Sequence, residues 1–495
     1  MIKVLFRSNL ALLLILIFMC GCTSNMPYHT LESDTCQSPS ARQCMEAILE
    51  EYAKGNDPEA SLDQCDEQAA KSCMGSYYQR HDMYDIAFAE FSERGNAFNE
   101  AYIDYVKKQI ADHAKADGVV LVIFVHGWKH NANEIDSNLL DFKLVLKSVA
   151  ENLEKISNGK DVKRRRLVGL YIGWRGASTS LPVLENATFW DRKAVAEEVG
   201  KGGVTRLLLE LALIDEGRGS DNRKERNVMV VVGHSFGAAI VVSALSEVLT
   251  ERTVFRTKQH NYGAVLGDAV IVLNPAIEAN QALNLVEVAR EENYPENQHP
   301  MLVSISTDAD WPTHNLFPFG QTVGLFLTWK QTDLARNYYV DRKQGDAVIP
   351  LREEHLDATT VGNFAPFLTH RLELNKELSP PRFSLLKCKQ VPKKCGPKGL
   401  TSLDGLPTIK PLPENYPLYF IKTNETVMSG HNDIFNESIT AFMLTIIDDV
   451  VSRNLLAKPE PTILSNPNLL NERANSFLKT LCHQKGKGSV QECIR

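Results

Sequence analysis

The sequence predicts an α/β protein: a mostly parallel central sheet with helices on both faces. Three observations lead there. Val119–Val125 is an unbroken apolar run rich in β-branched residues, the pattern of a strand buried on both faces. Other short apolar runs, Leu167–Ile172, Asn227–Val232, Asp268–Leu273, Met301–Ser306 and Tyr416–Ile421, alternate with stretches of helical periodicity. Between Asn227–Val232 and a run of small residues beginning at Ala238 lies Gly233-His234-Ser235-Phe236-Gly237, a G-x-S-x-G turn joining strand to helix.

The N-terminus stands outside this pattern. Lys3 and Arg7 precede an apolar stretch, Leu10–Met19, too short to span a bilayer comfortably, which ends in Met19-Cys20-Gly21-Cys22. A small residue before a cysteine here resembles a bacterial lipobox, so residues 1–22 are expected to be a lipoprotein signal peptide with Cys22 acylated. Bulky Met19 makes Cys20 the poorer candidate, and an ordinary cleaved signal peptide or an uncleaved anchor is the rival. Thr23 in place of aspartate points to the outer membrane, facing the periplasm.

Residues 23–84 are polar, cysteine-bearing and helical in pattern over Ala41–Ala53 and Ser61–Met74. Residues 85–455 are expected to form the main domain. It opens with a strand at Ile86–Phe91 and an amphipathic helix at Asn99–Lys115. Further helices are expected at Leu139–Ile156 and Asp191–Leu213, with Asn436–Val451 closing the domain. Within it, 311–413 is rich in loops, proline and glycine, and reads as an insertion before the last strand, able to serve as a lid. Residues 456–495 form a tail with a short helix and the last cysteine pair.

The net charge of −7 excludes the basic footprint of a nucleic-acid binder. Apart from Cys20 and Cys22, the cysteines are Cys36, Cys44, Cys65, Cys73, Cys388, Cys395, Cys482 and Cys493. An even set in an exported chain reads as disulfides. Cys388–Cys395 and Cys482–Cys493 are natural local pairs, and the first four allow three connectivities. C-x₂-C spacing is absent, which argues against a metal site. Lys163-Arg164-Arg165-Arg166 reads as a solvated loop, and Trp174 as packing at a strand end.

Serine hydroxyls are poor nucleophiles near neutral pH and need a base, an acid to orient it, and donors for an oxyanion. Ser235 is the expected nucleophile. The base should follow the last strand and precede a helix, which selects His431 among the thirteen histidines. His370 is the best rival, ahead of His314 and His355, all three within the insertion. The acid should follow Met301–Ser306, where Ser306-Thr307-Asp308-Ala309-Asp310 offers two carboxylates. Asp310 is preferred, because some chain is needed to turn back toward the histidine, and Asp308 is the alternative. The oxyanion donors are expected to be the amides of Phe236, next to the serine, and Trp128, in His126-Gly127-Trp128-Lys129-His130-Asn131. His126 is expected to be structural.

With these residues in place, the chain resembles the α/β-hydrolase superfamily, and more narrowly a group of bacterial hydrolases, many of them exported. The resemblance rests on Phe124–Ala132 (FVHGWKHNA), Gly233–Ile240 (GHSFGAAI), Asn274–Ala279 (NPAIEA), Ser306–Thr313 (STDADWPT), Thr360–Leu372 (TVGNFAPFLTHRL) and Gly430–Asp433 (GHND). It covers roughly Asp85 to Val451. It implies a serine hydrolase with Ser235 as nucleophile, His431 as base and an acid at Asp310 or Asp308, esterase- or lipase-like, needing no metal or organic cofactor. The partners it implies are a small-molecule or lipid ester and, through the anchor, a membrane. An amidase or thioesterase with the same triad and a catalytically silent envelope binding lipoprotein are the alternatives.

Overall fold

The computed structural model describes residues 26–31, 36, 38–59, 71, 73–158, 164–176, 189–216, 227–259, 267–296, 298–318, 333–336, 339–340, 349–388, 395, 408–409, 412–456 and 461–494. Residues 1–22, where a signal peptide ending at Cys22 is expected, Cys65, most of Ser61–Met74 and much of 311–413 lie outside them.

A ten-stranded sheet organises the chain. Its strands are Tyr78–Arg80 (β1), Asp85–Glu90 (β2), Val119–Val125 (β3), Arg166–Gly173 (β4), Val228–His234 (β5), Ala269–Leu273 (β6), Leu302–Thr307 (β7), His370–Asn375 (β8), Arg382–Lys387 (β9) and Leu418–Thr423 (β10). They lie in the order β1-β2-β4-β3-β5-β6-β7-β10-β8-β9. From β2 to β8 every neighbouring pair is parallel, and only the edge strands β1 and β9 run antiparallel. The protein is therefore α/β, with a large, mostly parallel central sheet.

Both faces of the sheet are covered, and the period of two along the strands sorts the core into two layers. Val119, Leu121, Ile123 and Val125 join one layer, while Val120, Val122 and Phe124 join the other. The first layer is closed by Glu100–Ala116 (α2), Phe189–Val199 (α4), Thr205–Glu216 (α5), Phe236–Gln259 (α6) and Leu283–Glu291 (α7). The second is closed by Ser137–Asn158 (α3), Glu437–Leu456 (α8) and Pro467–Gln484 (α9). Helix α2 starts where Asn99 caps the Ala101 amide, and it buries Ile103, Val106, Ile110 and Ala114, one face at helical spacing. Pro39–Ala53 (α1) packs its cysteine-bearing face on Leu140 and Leu144 of α3.

Four features depart from the sequence pattern. The sheet begins at Tyr78, before Asp85, because a three-residue strand containing buried Gln79 is too short to show alternation. The stretch read as an insertion supplies β8 and β9, a hairpin hidden by the surrounding loop-rich composition. The C-terminal helix is long: Asn466 caps it, Pro467 opens it, and Leu470, Ala474, Phe477, Leu478 and Leu481 bury one face. The basic run is a solvated loop only in part: Lys163 lies outside the described residues and Arg164 is exposed, but its last two residues are engaged. Arg165 is buried, and Arg166 pairs with Asp85 of β2 and donates to the His81 and Asp82 carbonyls.

Disulfides join Cys36 to Cys73, Cys388 to Cys395 and Cys482 to Cys493. Cys44 is also disulfide-bonded.

Candidate active site

Ser235 sits between the last residue of β5 and the first of α6 with φ +55°, a left-handed conformation that non-glycine residues rarely adopt. Such a residue costs about 1–2 kcal/mol, so its surroundings must hold it. They do so through the backbone. The Ser235 amide donates to the Leu273 carbonyl at 3.0 Å, and the Ser235 carbonyl accepts from Ala276 at 3.2 Å. The flanking glycines are sterically required. A Cβ on Gly233 would lie 2.8 Å from Ala238 Cα, and one on Gly237 2.1 Å from the Val125 carbonyl oxygen.

Three strand ends bring three side chains into line. Ser235 Oγ lies 2.6 Å from His431 Nε2, and His431 Nδ1 lies 2.9 Å from Asp310 Oδ1. All three are buried. Asp310 Oδ1 also accepts from the Thr313 amide at 3.1 Å. Burial works against a charge on Asp310, but the facing His431 and the hydrogen bonds from His431 and Thr313 outweigh it and hold the carboxyl below its ordinary pKa. An ionised Asp310 accepts from Nδ1–H, which leaves Nε2 free to accept the serine proton.

The loop carrying His431 is fixed by residues that the sequence did not single out for a role. Asn274, at the end of β6 with φ +43°, donates through Nδ2 to the His431 and Gly430 carbonyls at 2.8 and 3.3 Å. Its Oδ1 accepts from the Thr307 amide at 3.1 Å, tying the acid-bearing and histidine-bearing strand ends together. The Thr307 hydroxyl donates to the Met428 carbonyl at 2.7 Å. His234 Nε2 donates to the His431 carbonyl at 2.9 Å. Burial, then the neighbouring His431, hold His234 well below the ordinary imidazole pKa, so it stays neutral. The only sequence signal for Asn274 is its place in the Asn274–Ala279 motif.

The loop after β3 approaches the same point. A Cβ on Gly127 would lie 2.5 Å from His234 Nδ1 and 3.0 Å from Ser235 Cβ, so only glycine fits. His126 is a strut: Nδ1 is 3.0 Å from the Gly127 carbonyl, Nε2 accepts from the Trp174 amide at 3.2 Å, and its ring stacks on Trp174. The Trp128 and Phe236 rings lie 6.5 Å apart, with Phe236 opening α6.

The rival residues are engaged elsewhere. Asp308 pairs with Arg371 of β8 at 2.7 Å and faces Lys422 of β10 at 3.6 Å. His370 Nδ1 contacts the Thr369 hydroxyl, and its ring stacks on Tyr419. His314 Nε2 lies 3.0 Å from Lys422 Nζ. His355 falls in the short helix Glu353–Ala358.

An alcohol, an imidazole and a buried carboxylate in series make an arrangement suited to activating the alcohol as a nucleophile. No protein-family model matches this chain, and no curated protein matches it either.

Proposed function

We propose that this chain is a serine hydrolase of the α/β-hydrolase fold that cleaves carboxylic esters through an acyl-enzyme. The observation that carries the proposal is the unbroken run Ser235–His431–Asp310, at 2.6 and 2.9 Å, assembled from three strand ends. Its chain order, Ser then Asp then His, and the left-handed serine after β5 support the same reading.

In the proposed reaction Ser235 Oγ attacks the ester carbonyl while His431 Nε2 takes its proton. The oxyanion accepts from the amides of Trp128 and Phe236, the latter at the positive end of α6. Collapse breaks the bond to the alkoxy oxygen, which leaves as an alcohol with the proton from His431. Water then attacks the acyl-serine with His431 again as base, releasing the acid and restoring Ser235. Asp310 remains a carboxylate throughout and stabilises the imidazolium. A silent binding protein would have no use for all three side chains in register.

The proposal extends to location. A lipobox-like Cys22 and a disulfide-bearing chain suit an exported protein held by lipid in the cell envelope, at the outer membrane.

A fluorophosphonate probe is expected to label the wild type and not Ser235→Ala. A panel of acyl esters of graded chain length is expected to be turned over by the wild type alone. Turnover that persists unchanged in Ser235→Ala ends the reading.

A further inference from the structure

The N-terminal segment is clasped to one edge of the sheet, the edge that carries Ser235. The amides of Tyr28 and His29 donate to the Glu90 carboxylate at 2.9 and 2.8 Å. His29 Nδ1 lies 3.0 Å from Glu90 Oε1, Nε2 lies 3.2 Å from Glu134 Oε1, and the ring stacks on Phe88. Lys143 and Gln79 donate to Glu134, so the buried charges of the clasp are paired. The Thr30 and Leu31 amides donate to the Gly75 carbonyl, and the Tyr102 hydroxyl donates to the Thr30 carbonyl.

Strand register sets the level of this clasp. Glu90, the last residue of β2, pairs with Gly173; Ile172 pairs with Val125, and Val125 with Gly233. Glu90 therefore stands level with His234, one residue before Ser235 and three strands away. At the usual strand spacing that is about 14 Å. Six residues lead from Cys22 to Tyr28, and even fully extended they reach only about 20 Å.

Large apolar side chains stand in solvent along the same rim. On the clasped segment Met26, Tyr28 and Leu31 are 67%, 39% and 45% exposed. Trp311, directly after Asp310 beyond the end of β7, is 60% exposed. In the strand order these two groups flank Ser235. Aromatic side chains of this kind favour the interfacial layer of a bilayer.

We propose that acylated Cys22 holds the chain with this edge of the sheet turned toward the bilayer, so that the Ser235 site takes its substrate from the membrane, as an acyl ester with a lipid tail. The chemistry rests on the hydrolase reading and the geometry on the anchor at Cys22. The same short tether clasped to the opposite edge would turn the site away from lipid.

The test uses the full lipidated chain in phosphatidylcholine vesicles carrying an acceptor dye on the headgroups. A donor dye is placed at Asn315→Cys, exposed beyond β7, or at Asp117→Cys, exposed on the opposite edge just before β3. Energy transfer is expected to be several-fold more efficient from position 315 than from position 117. A flexible Gly/Ser insert of about twenty residues after Ser24 is expected to bring the two efficiencies together. The parent is expected to hydrolyse a bilayer-held acyl ester, and the insert to slow this several-fold while leaving a short soluble ester unaffected.

Equal or reversed transfer in the parent overturns the orientation, as does a chain that carries no acyl group at Cys22. Equal turnover of the bilayer ester with and without the insert overturns the substrate class. Loss of all ester turnover, with transfer still higher from position 315, removes the hydrolase reading and leaves the orientation standing.

Discussion

Asp310 keeps its charge in surroundings that oppose charge, and it does so because His431 and the Thr313 amide face it. Under the proposed mechanism, Asp310→Asn removes the anion and admits the wrong imidazole tautomer. Turnover is expected to fall roughly a thousandfold to ten-thousandfold, with little change in the urea midpoint. An unaltered rate would remove Asp310 from the reaction. The elbow glycines make a steric prediction that needs no mechanism. A Cβ at Gly237 meets the Val125 and His126 carbonyl oxygens at 2.1 and 2.4 Å, both backbone atoms that cannot swing aside, whereas one at Gly430 meets nothing within 4 Å. Gly237→Ala is expected to cost upwards of about 3 kcal/mol and Gly430→Ala under about 1 kcal/mol in urea unfolding. Similar losses would contradict the elbow geometry. Ser235, His431 and the pair Asp308 and Asp310 were legible in the sequence because each lies between a strand and the next element, a pattern read along the chain. Asn274 and His234 were not, because an Asn or a His at a strand end acquires its role only when a neighbouring strand delivers a carbonyl to it.

At the scale of elements, β9 is an edge strand, and such an edge invites pairing with another chain. Helix α9 covers it with one amide. Asn471 Oδ1 accepts from the Phe383 amide at 2.7 Å, and its Nδ2 donates to the Phe383 carbonyl at 2.6 Å. Asn475 adds a bond to the Pro381 carbonyl at 2.9 Å. Asn471→Ala removes both Phe383 bonds and is expected to lower stability by about 1–3 kcal/mol and to speed aggregation on mild heating. Light scattering indistinguishable from the wild type would count against a guarding role for α9. In the sequence β9 was not legible, and its cover was legible only as a short helix in the tail. The strand sits in a stretch whose proline and glycine content suggests loops, and the helix in a tail whose opening Asn466-Pro467 is a start signal that composition alone obscures. By contrast β3, β5 and α2 were plain, because long apolar runs and helical spacing announce themselves without partners.

Across the whole molecule, buried histidines set the response to acid. Burial is the leading cause that pushes His81, His126 and His370 down to about 4, and it also holds His234 well below its ordinary value. In an unfolded chain each would titrate near 6.5. Between those values the unfolded state binds more protons than the folded one, so the stability these four contribute is whole above about 6.5 and drains away as pH falls toward 4. His29 acts in the other sense. Burial opposes its charge, but hydrogen bonds to Glu134 and Glu90 raise its pKa, so its contribution is whole below about 6.5 and is lost as pH rises through the folded value. Asp141, whose carboxyl burial raises to about 7, acts in the same sense as His29, so four lowered rings stand against two groups. The melting temperature is expected to fall by roughly 5–10 °C from pH 7 to pH 5. A flat profile over that range would show that these rings are not held neutral.

The order of residues along the chain was enough for the alternation of strands and helices, the sharp turn at Ser235 and the stretches after two strands that carry His431 and the aspartates. Those properties depend on side-chain periodicity and on sterics within a few residues. Tertiary structure alone decided that Asp310, not Asp308, faces His431, because Arg371 and Lys422, from strands hidden in a loop-rich stretch, engage Asp308. It also decided that the segment near the N-terminus is clasped at the edge bearing Ser235. Both outcomes follow from sheet register, which sets distant residues side by side and has no counterpart in the order of the chain.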